Sequence, residues 1–178
     1  HDNYGEGRPV IVALVNSFHG RTITTLSATG QDVFHQHFFP FTEGFIYTPA
    51  NDIDAALKAL DNPAVCAIMM EPIQGEGGVV PAPISFLQKV REVTKKHGIL
   101  MIVDEVQAGF CRSGKMFAFE HAGIQPDIVV MSKAVGGSLP LAVLAIKKEF
   151  DAWQPAGHTG TFRGNQLAMA TGYVSLKI

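Results

Sequence analysis

The chain has 178 residues, 47% apolar and 17% charged, with a formal net charge of -2. That length can bury a core within one domain, and the near-neutral charge excludes a polyanion-binding class. Lys and Arg are scattered, with no basic run longer than Lys95-Lys96 or Lys147-Lys148, so no nucleic-acid role is expected.

No apolar stretch is long enough to span a membrane. Cys66 and Cys111 have neither a metal spacing nor a disulfide framework, which reads as two free thiols in a reducing, cytoplasmic compartment. The chain opens at His1-Asp2-Asn3 without Met and stops inside a helical pattern at Leu176-Lys177-Ile178. The expectation is an internal piece of a larger chain.

Val10 to Val15 is a near-continuous apolar run, the mark of a strand covered on both faces. Asn16 to Gly20 breaks it, and a modest helix is expected over 21–28. Residues 30–44 carry Phe34, Phe38, Phe39 and Phe41 without periodicity. They read as a long ordered excursion packed against a neighbouring surface, such as that of a partner subunit. Asn51 or Asp52 caps a helix through Leu60, with Ile53, Leu57 and Leu60 on one face.

A second strand is expected at Val65 to Met70, ending at Glu71-Pro72. Ile73 to Gly78 is too glycine-rich for a regular element. Ile84 to His97 is an amphipathic helix with Phe86, Leu87, Val90 and Val93-Thr94 on its apolar side, Pro83 near its start and Gly98 as its C-terminal cap. A third strand, Ile99 to Val103, delivers Asp104-Glu105. Residues 109–123 are mostly loop, with a short helix around Phe117 to Ala122. A fourth strand, Ile128 to Met131, leads to Ser132-Lys133 and Gly136-Gly137, and Leu139 to Ile146 reads as a fifth. Strand-helix alternation at this spacing implies an α/β fold, a mostly parallel sheet with helices on both faces.

Ligands in such sheets bind beyond the carboxyl ends of the strands. There the sequence places Phe18-His19, Glu71, Asp104 and Lys133. Most lysines after a strand are surface residues. Lys133, however, follows an apolar run and is not expected to reach bulk water easily, so its amine must be neutral, ion-paired or covalently used. A desolvated lysine can form a Schiff base with a carbonyl cofactor or substrate. Asp104 can be a helix cap, a salt-bridge partner or the anion beside a protonated pyridine nitrogen. Gln107 could point its amide at a phenolic oxygen on that ring, and Phe18 is either ordinary core or a stacking face. Together they are what a pyridoxal phosphate enzyme needs.

Five segments carry a resemblance: Ser-Phe-His-Gly-Arg-Thr at 17–22, Glu-Pro-Ile-Gln-Gly-Glu-Gly-Gly at 71–78, Asp-Glu-Val-Gln-Ala-Gly at 104–109, Ser132-Lys133 with Gly136-Gly137, and Thr161-Phe162-Arg163-Gly164-Asn165. In this order and spacing the chain resembles the class III (subgroup II) aminotransferases, over essentially its whole length. The resemblance implies the large domain of a type I pyridoxal-phosphate fold, with residues 1–178 as its central part. The N-terminal segment, with its phosphate cup, and the C-terminal small domain would lie elsewhere, and the segment alone is expected to be inactive.

It further implies that Lys133 forms the Schiff base and shuttles protons, Asp104 binds the ring nitrogen, Gln107 lies by the phenolic oxygen and Phe18 stacks. His19 supports the cofactor site, as does Glu71. Thr161 reaches the cofactor phosphate of a neighbouring subunit, which implies a homodimer with shared sites. Arg21 and Glu76 match substrate-carboxylate and gate positions. Gly160 and Arg163 depart from the commoner family pattern toward the branch that moves the ω-amino group between L-2,4-diaminobutyrate and 2-oxoglutarate, while residues 21–41 look as much like acetylornithine aminotransferases. A decarboxylase, racemase or aminomutase on the same fold, and a non-catalytic domain, are the remaining alternatives.

Overall fold

Val10–Leu14 (β1) is built from five β-prone apolar residues and becomes a central strand of the sheet. The computed structural model describes residues 7–177, so His1 to Asn3 and Ile178 lie outside the described residues. Helix α1 (Ile23–Ala28) begins two residues later than expected. A single 3-10 turn, Asp32–Phe34, interrupts the aromatic excursion, which then enters a strand that the sequence reading lacked, β2 (Phe45–Thr48). Helix α2 (Ile53–Leu60) starts at Asp52, whose side chain accepts the Ala55 N–H at 3.0 Å, a cap that contributes about 1 kcal/mol.

Strand β3 (Val65–Met70) has the expected bounds. The glycine-rich stretch after it is more regular than expected, because β4 (Ile73–Gln74) pairs antiparallel with β5 (Val80–Pro81). Helix α3 (Ile84–His97) also has its expected bounds, and it closes on Gly98 at φ +62°, a left-handed cap that glycine adopts without steric cost. Strand β6 (Leu100–Asp104) includes the aspartate itself. A 3-10 segment, Ala118–Ala122, stands where the short helix was expected. Strand β7 (Ile128–Met131) keeps its bounds, β8 (Val143–Ile146) is shorter than expected, and α4 (Gln166–Ser175) ends the described chain.

The main sheet has the order β2-β1-β3-β6-β7-β8. All neighbours are parallel except β7 and β8. Val12, Leu14, Ile68, Met70, Met101 and Val103 point to one face and form a core with Leu60 of α2 and with Phe86, Leu87 and Val90 of α3. Each such side chain contributes roughly 1.5–3 kcal/mol on burial. The other face holds buried Ala13 and Ala67 but only half-buried Ile102, Ile128 and Val130.

One polar cluster ties the N-terminal end of the sheet together. Asp127, just before β7, accepts two bonds from the Arg91 guanidinium on α3, one from Lys147 after β8, and the Met101 N–H at 2.9 Å. Burial alone would push its carboxyl up, but these donors outweigh it and hold the group below the usual carboxylate range. A depressed folded value means the stabilisation is complete above the unfolded pKa and is lost as pH falls through the folded one. Asp127→Ala strands two cations side by side and is expected to cost about 3–5 kcal/mol in denaturant unfolding at neutral pH. The gap from the parent should narrow as pH falls below about 4. An unchanged midpoint at neutral pH would show the cluster to be idle.

Candidate active site

The strand order places the site. From β1 the chain moves first to β2 on one side, then to β3 on the other, so a crevice opens beyond the carboxyl ends of β1 and β3. Phe18 and His19 follow β1, Glu71 follows β3 and Asp104 ends β6. Asp104 pairs in register with Val130 of β7. That pairing puts Lys133 three residues beyond the carboxylate's neighbour.

The innermost pair is His19 and Asp104. The imidazole Nδ1 lies 2.9 Å from Asp104 Oδ2, and the two side chains are 0% and 7% exposed. An ionised carboxylate can only accept, so Nδ1 carries the proton. The His19 N–H is fixed by the fully buried Thr29 hydroxyl at 2.9 Å, and Asp104 Oδ1 accepts the Val106 N–H at 3.0 Å. His19 Nε2 is buried without a hydrogen-bond partner among the described residues. Glu71 lies beside this pair. Its Oε2 accepts the Phe18 N–H at 3.1 Å and its Oε1 the Gly75 N–H at 3.3 Å. Desolvation pushes its carboxyl up, against these two bonds and the pull of His19, while the charge of Asp104 pushes the same way as burial.

Lys133 corrects an expectation. It is exposed, not withdrawn from water, because β7 stops at Met131 and the backbone turns out of the sheet at Ser132, whose hydroxyl donates to the Leu141 carbonyl. The lysine opens a 3-10 turn, Lys133–Gly136, with φ +51°. A side chain in the left-handed region costs about 1–2 kcal/mol, a strain characteristic of functional positions. Its amine has no hydrogen-bond or ion-pair partner among the described residues.

Phe18 is half-buried, with its ring edge-on to Phe34 at 5.5 Å. Arg21 is exposed and spreads its guanidinium over the Phe34 ring at 4.4 Å and the Phe18 ring at 5.8 Å, with no carboxylate partner among the described residues. Gln107 donates its amide to Glu76 at 3.2 Å, so these two predicted site residues do meet. Thr161 is exposed, in the irregular stretch before α4. It belongs to a segment that, with β7 and β8, encloses a cavity of about 770 Å³ lined in part by Ser132, Leu141, Leu144, Phe162 and Arg163.

Two contributors escaped the sequence reading. Thr29 orients His19 from ten residues away, and no local pattern announces it. Glu105 was visible only as the neighbour of Asp104, yet it is fully buried and accepts the Phe119 N–H at 3.0 Å, pinning residues 117–122 behind the site. Its Oε2 has no partner among the described residues. The signal was a second acid after five apolar residues, which a surface role does not require.

A mostly parallel sheet, with an amine, paired carboxylates, an imidazole and an aromatic ring at its strand ends, is the large-domain architecture of the type I pyridoxal-phosphate-dependent transferases. The chain belongs to the class III aminotransferases, whose family pattern, Aminotransferase class-III, matches residues 1–178. It is 60% identical to the diaminobutyrate–2-oxoglutarate aminotransferase of Haemophilus influenzae, over 97% of this chain and 43% of that protein. It is 45% identical to the acetylornithine aminotransferase of Gloeobacter violaceus, over 93% and 41%. A structure of the Toxoplasma gondii ornithine aminotransferase, described as having partial occupancy of PLP at its active site, superposes with TM-score 0.90 at 35% identity, over 94% of this chain and 40% of that one. The chain spans less than half the length of the curated relatives it matches. Among the described residues no helix is long and apolar enough to cross a membrane.

Burial also pushes the Glu105 carboxyl up. For a raised carboxylate the favourable contribution is present below the unfolded pKa and is lost as pH rises through the folded one. Glu105→Gln keeps an acceptor for Phe119 without the charge. Its melting temperature is expected to hold as pH rises from about 4 toward neutrality, while that of the parent falls relative to it. Parallel curves would disprove the assignment.

Proposed function

We propose that the protein is a transaminase that uses pyridoxal 5'-phosphate to move the ω-amino group between L-2,4-diaminobutyrate and 2-oxoglutarate, giving L-aspartate 4-semialdehyde and L-glutamate reversibly. The observation that carries the reading is a lysine on a left-handed backbone, without a partner among the described residues, three residues past the register partner of a buried aspartate. The 60% identity to the Haemophilus influenzae enzyme supports the donor. The 45% identity to an acetylornithine aminotransferase supports acetylornithine or ornithine as the second reading.

The residues present fit the cofactor. Asp104 is a desolvated carboxylate with one oxygen already held by His19, so a cationic ring nitrogen offers it the charge that its surroundings lack. Lys133 supplies a free amine for an aldehyde carbon, Phe18 an aromatic face, and Gln107 an amide for the phenolic oxygen. His19 backs Asp104. Thr161, exposed here, would reach the phosphate of a neighbouring subunit's site in a homodimer. When bound, pyridoxal phosphate supplies a carbonyl to take the amino group and an electron-withdrawing ring.

The chain's own groups do the rest. The Lys133 Nζ would take the proton from the donor carbon that bears the amine, as general base, and would then deliver it to the carbon that receives the amino group, as general acid. The His19 Nδ1–H would hold the Asp104 carboxylate in orientation for the ring nitrogen. Arg21 meets a carboxylate of the amino or oxo acid, and Glu76 gates that exchange. Two half-reactions on one site give ping-pong kinetics. A cytoplasmic location is part of the same proposal.

In the whole protein, a donor panel should rank 2,4-diaminobutyrate above ornithine and N-acetylornithine, with 2-oxoglutarate as acceptor. The reverse order would transfer the assignment to the second reading. Lys133→Ala should abolish the visible absorbance of the bound cofactor and lower kcat by about 10²–10⁴-fold or more. A variant that keeps both would refute the reading.

A further inference from the structure

The three proposed cofactor contacts sit at two strand ends, Phe18 after β1 and Asp104 with Gln107 at the end of β6 and in the turn that follows, and rigid placement of a ring requires those two ends to be fixed relative to one another. One side chain bonds the first of these ends directly and reaches the second through the backbone of Gly75, against which the Gln107 amide rests. Glu71 is 3% exposed, and among the described residues no cation hydrogen-bonds to it. Its two oxygens instead take one backbone N–H each, from Phe18 after β1 and from Gly75 after β4. A carboxylate withdrawn from water to hold only two backbone donors is costly for stability alone. Gly75 is in turn the floor of the Gln107 amide: a Cβ there would stand 2.7 Å from Gln107 Oε1 and 2.8 Å from its Cδ. The amide thus lies flat on the backbone that Glu71 holds. Glu71 also sits within electrostatic reach of both His19 and Asp104.

We propose that Glu71 is a positioning residue, aligning the Phe18 ring and the Gln107 amide around the cofactor through the Phe18 and Gly75 backbone N–H groups. This rests on the pyridoxal phosphate reading above. Glu71 takes no part in proton transfer. Its second oxygen is what matters, because each loop uses one.

The test uses the whole protein reconstituted with pyridoxal phosphate. Glu71→Gln keeps the shape but turns one acceptor into an NH2 group facing a backbone N–H, so one of the two bonds must break. The cofactor dissociation constant is expected to rise about tenfold or more, and the visible circular dichroism per bound cofactor, which reports ring orientation, should weaken. Gly75→Ala leaves Glu71 intact but displaces the Gln107 amide. It should shift the visible absorbance maximum even if Glu71→Gln fails to fold. A lower melting temperature with unchanged dichroism and affinity would mean a purely structural glutamate and would overturn the positioning role, as would two silent variants. In either case a coloured, active parent leaves the proposed function standing. A parent that takes up no cofactor colour overturns both.

Discussion

Negative charge packed without enough cation is the constraint around which this chain is arranged. Glu71, Asp104 and Glu105 are all buried at one end of the sheet, and among them only Asp104 has a charged or chargeable hydrogen-bond partner, His19. The other two are met by backbone N–H groups. Isolated buried carboxylates are unfavourable by several kcal/mol each, so a folded chain that keeps them must recover the cost elsewhere. The core of β1, β3 and β6 against α2 and α3 does that. What the arrangement leaves is a strand end rich in buried carboxylates, the place where the proposed pyridinium ring nitrogen would sit.

The two ends of the sheet solve the same electrostatic problem in opposite ways. At the N-terminal end Asp127 has Arg91, Lys147 and a backbone donor, and its charge is closed off. That cluster links α3, β6, β7 and β8 and leaves nothing for a ligand to add. At the carboxyl end the charge stays open. That open end also holds the left-handed Lys133 and a His19 Nε2 without a partner among the described residues.

The exposure of Lys133 also bears on how such a site is completed. Ile102, Ile128 and Val130 are half-buried, while Lys133 and Thr161 are exposed. Arg21 lies over aromatic rings, with no anionic partner among the described residues. Gln107 and Glu76 already share a hydrogen bond. The group proposed beside the ring and the group proposed at the gate are thus one unit.

The sequence by itself determined the elements whose pattern is local. Continuous apolar runs gave β3 and β7 their bounds, a 3.6-residue stripe ending on Gly98 gave α3, and the order of strand and helix gave the parallel sheet with Phe18, His19, Glu71, Asp104 and Lys133 at its strand ends. Only the tertiary structure decided what depends on contacts distant in the chain. It made Phe45–Thr48 an edge strand through pairing with β1, not through any strong run of its own. It set His19 on Asp104 across 85 positions and gave Glu71 its two loops. It also turned Lys133 outward, because periodicity reports which face a strand residue takes but is silent once the strand ends and a turn chooses the direction.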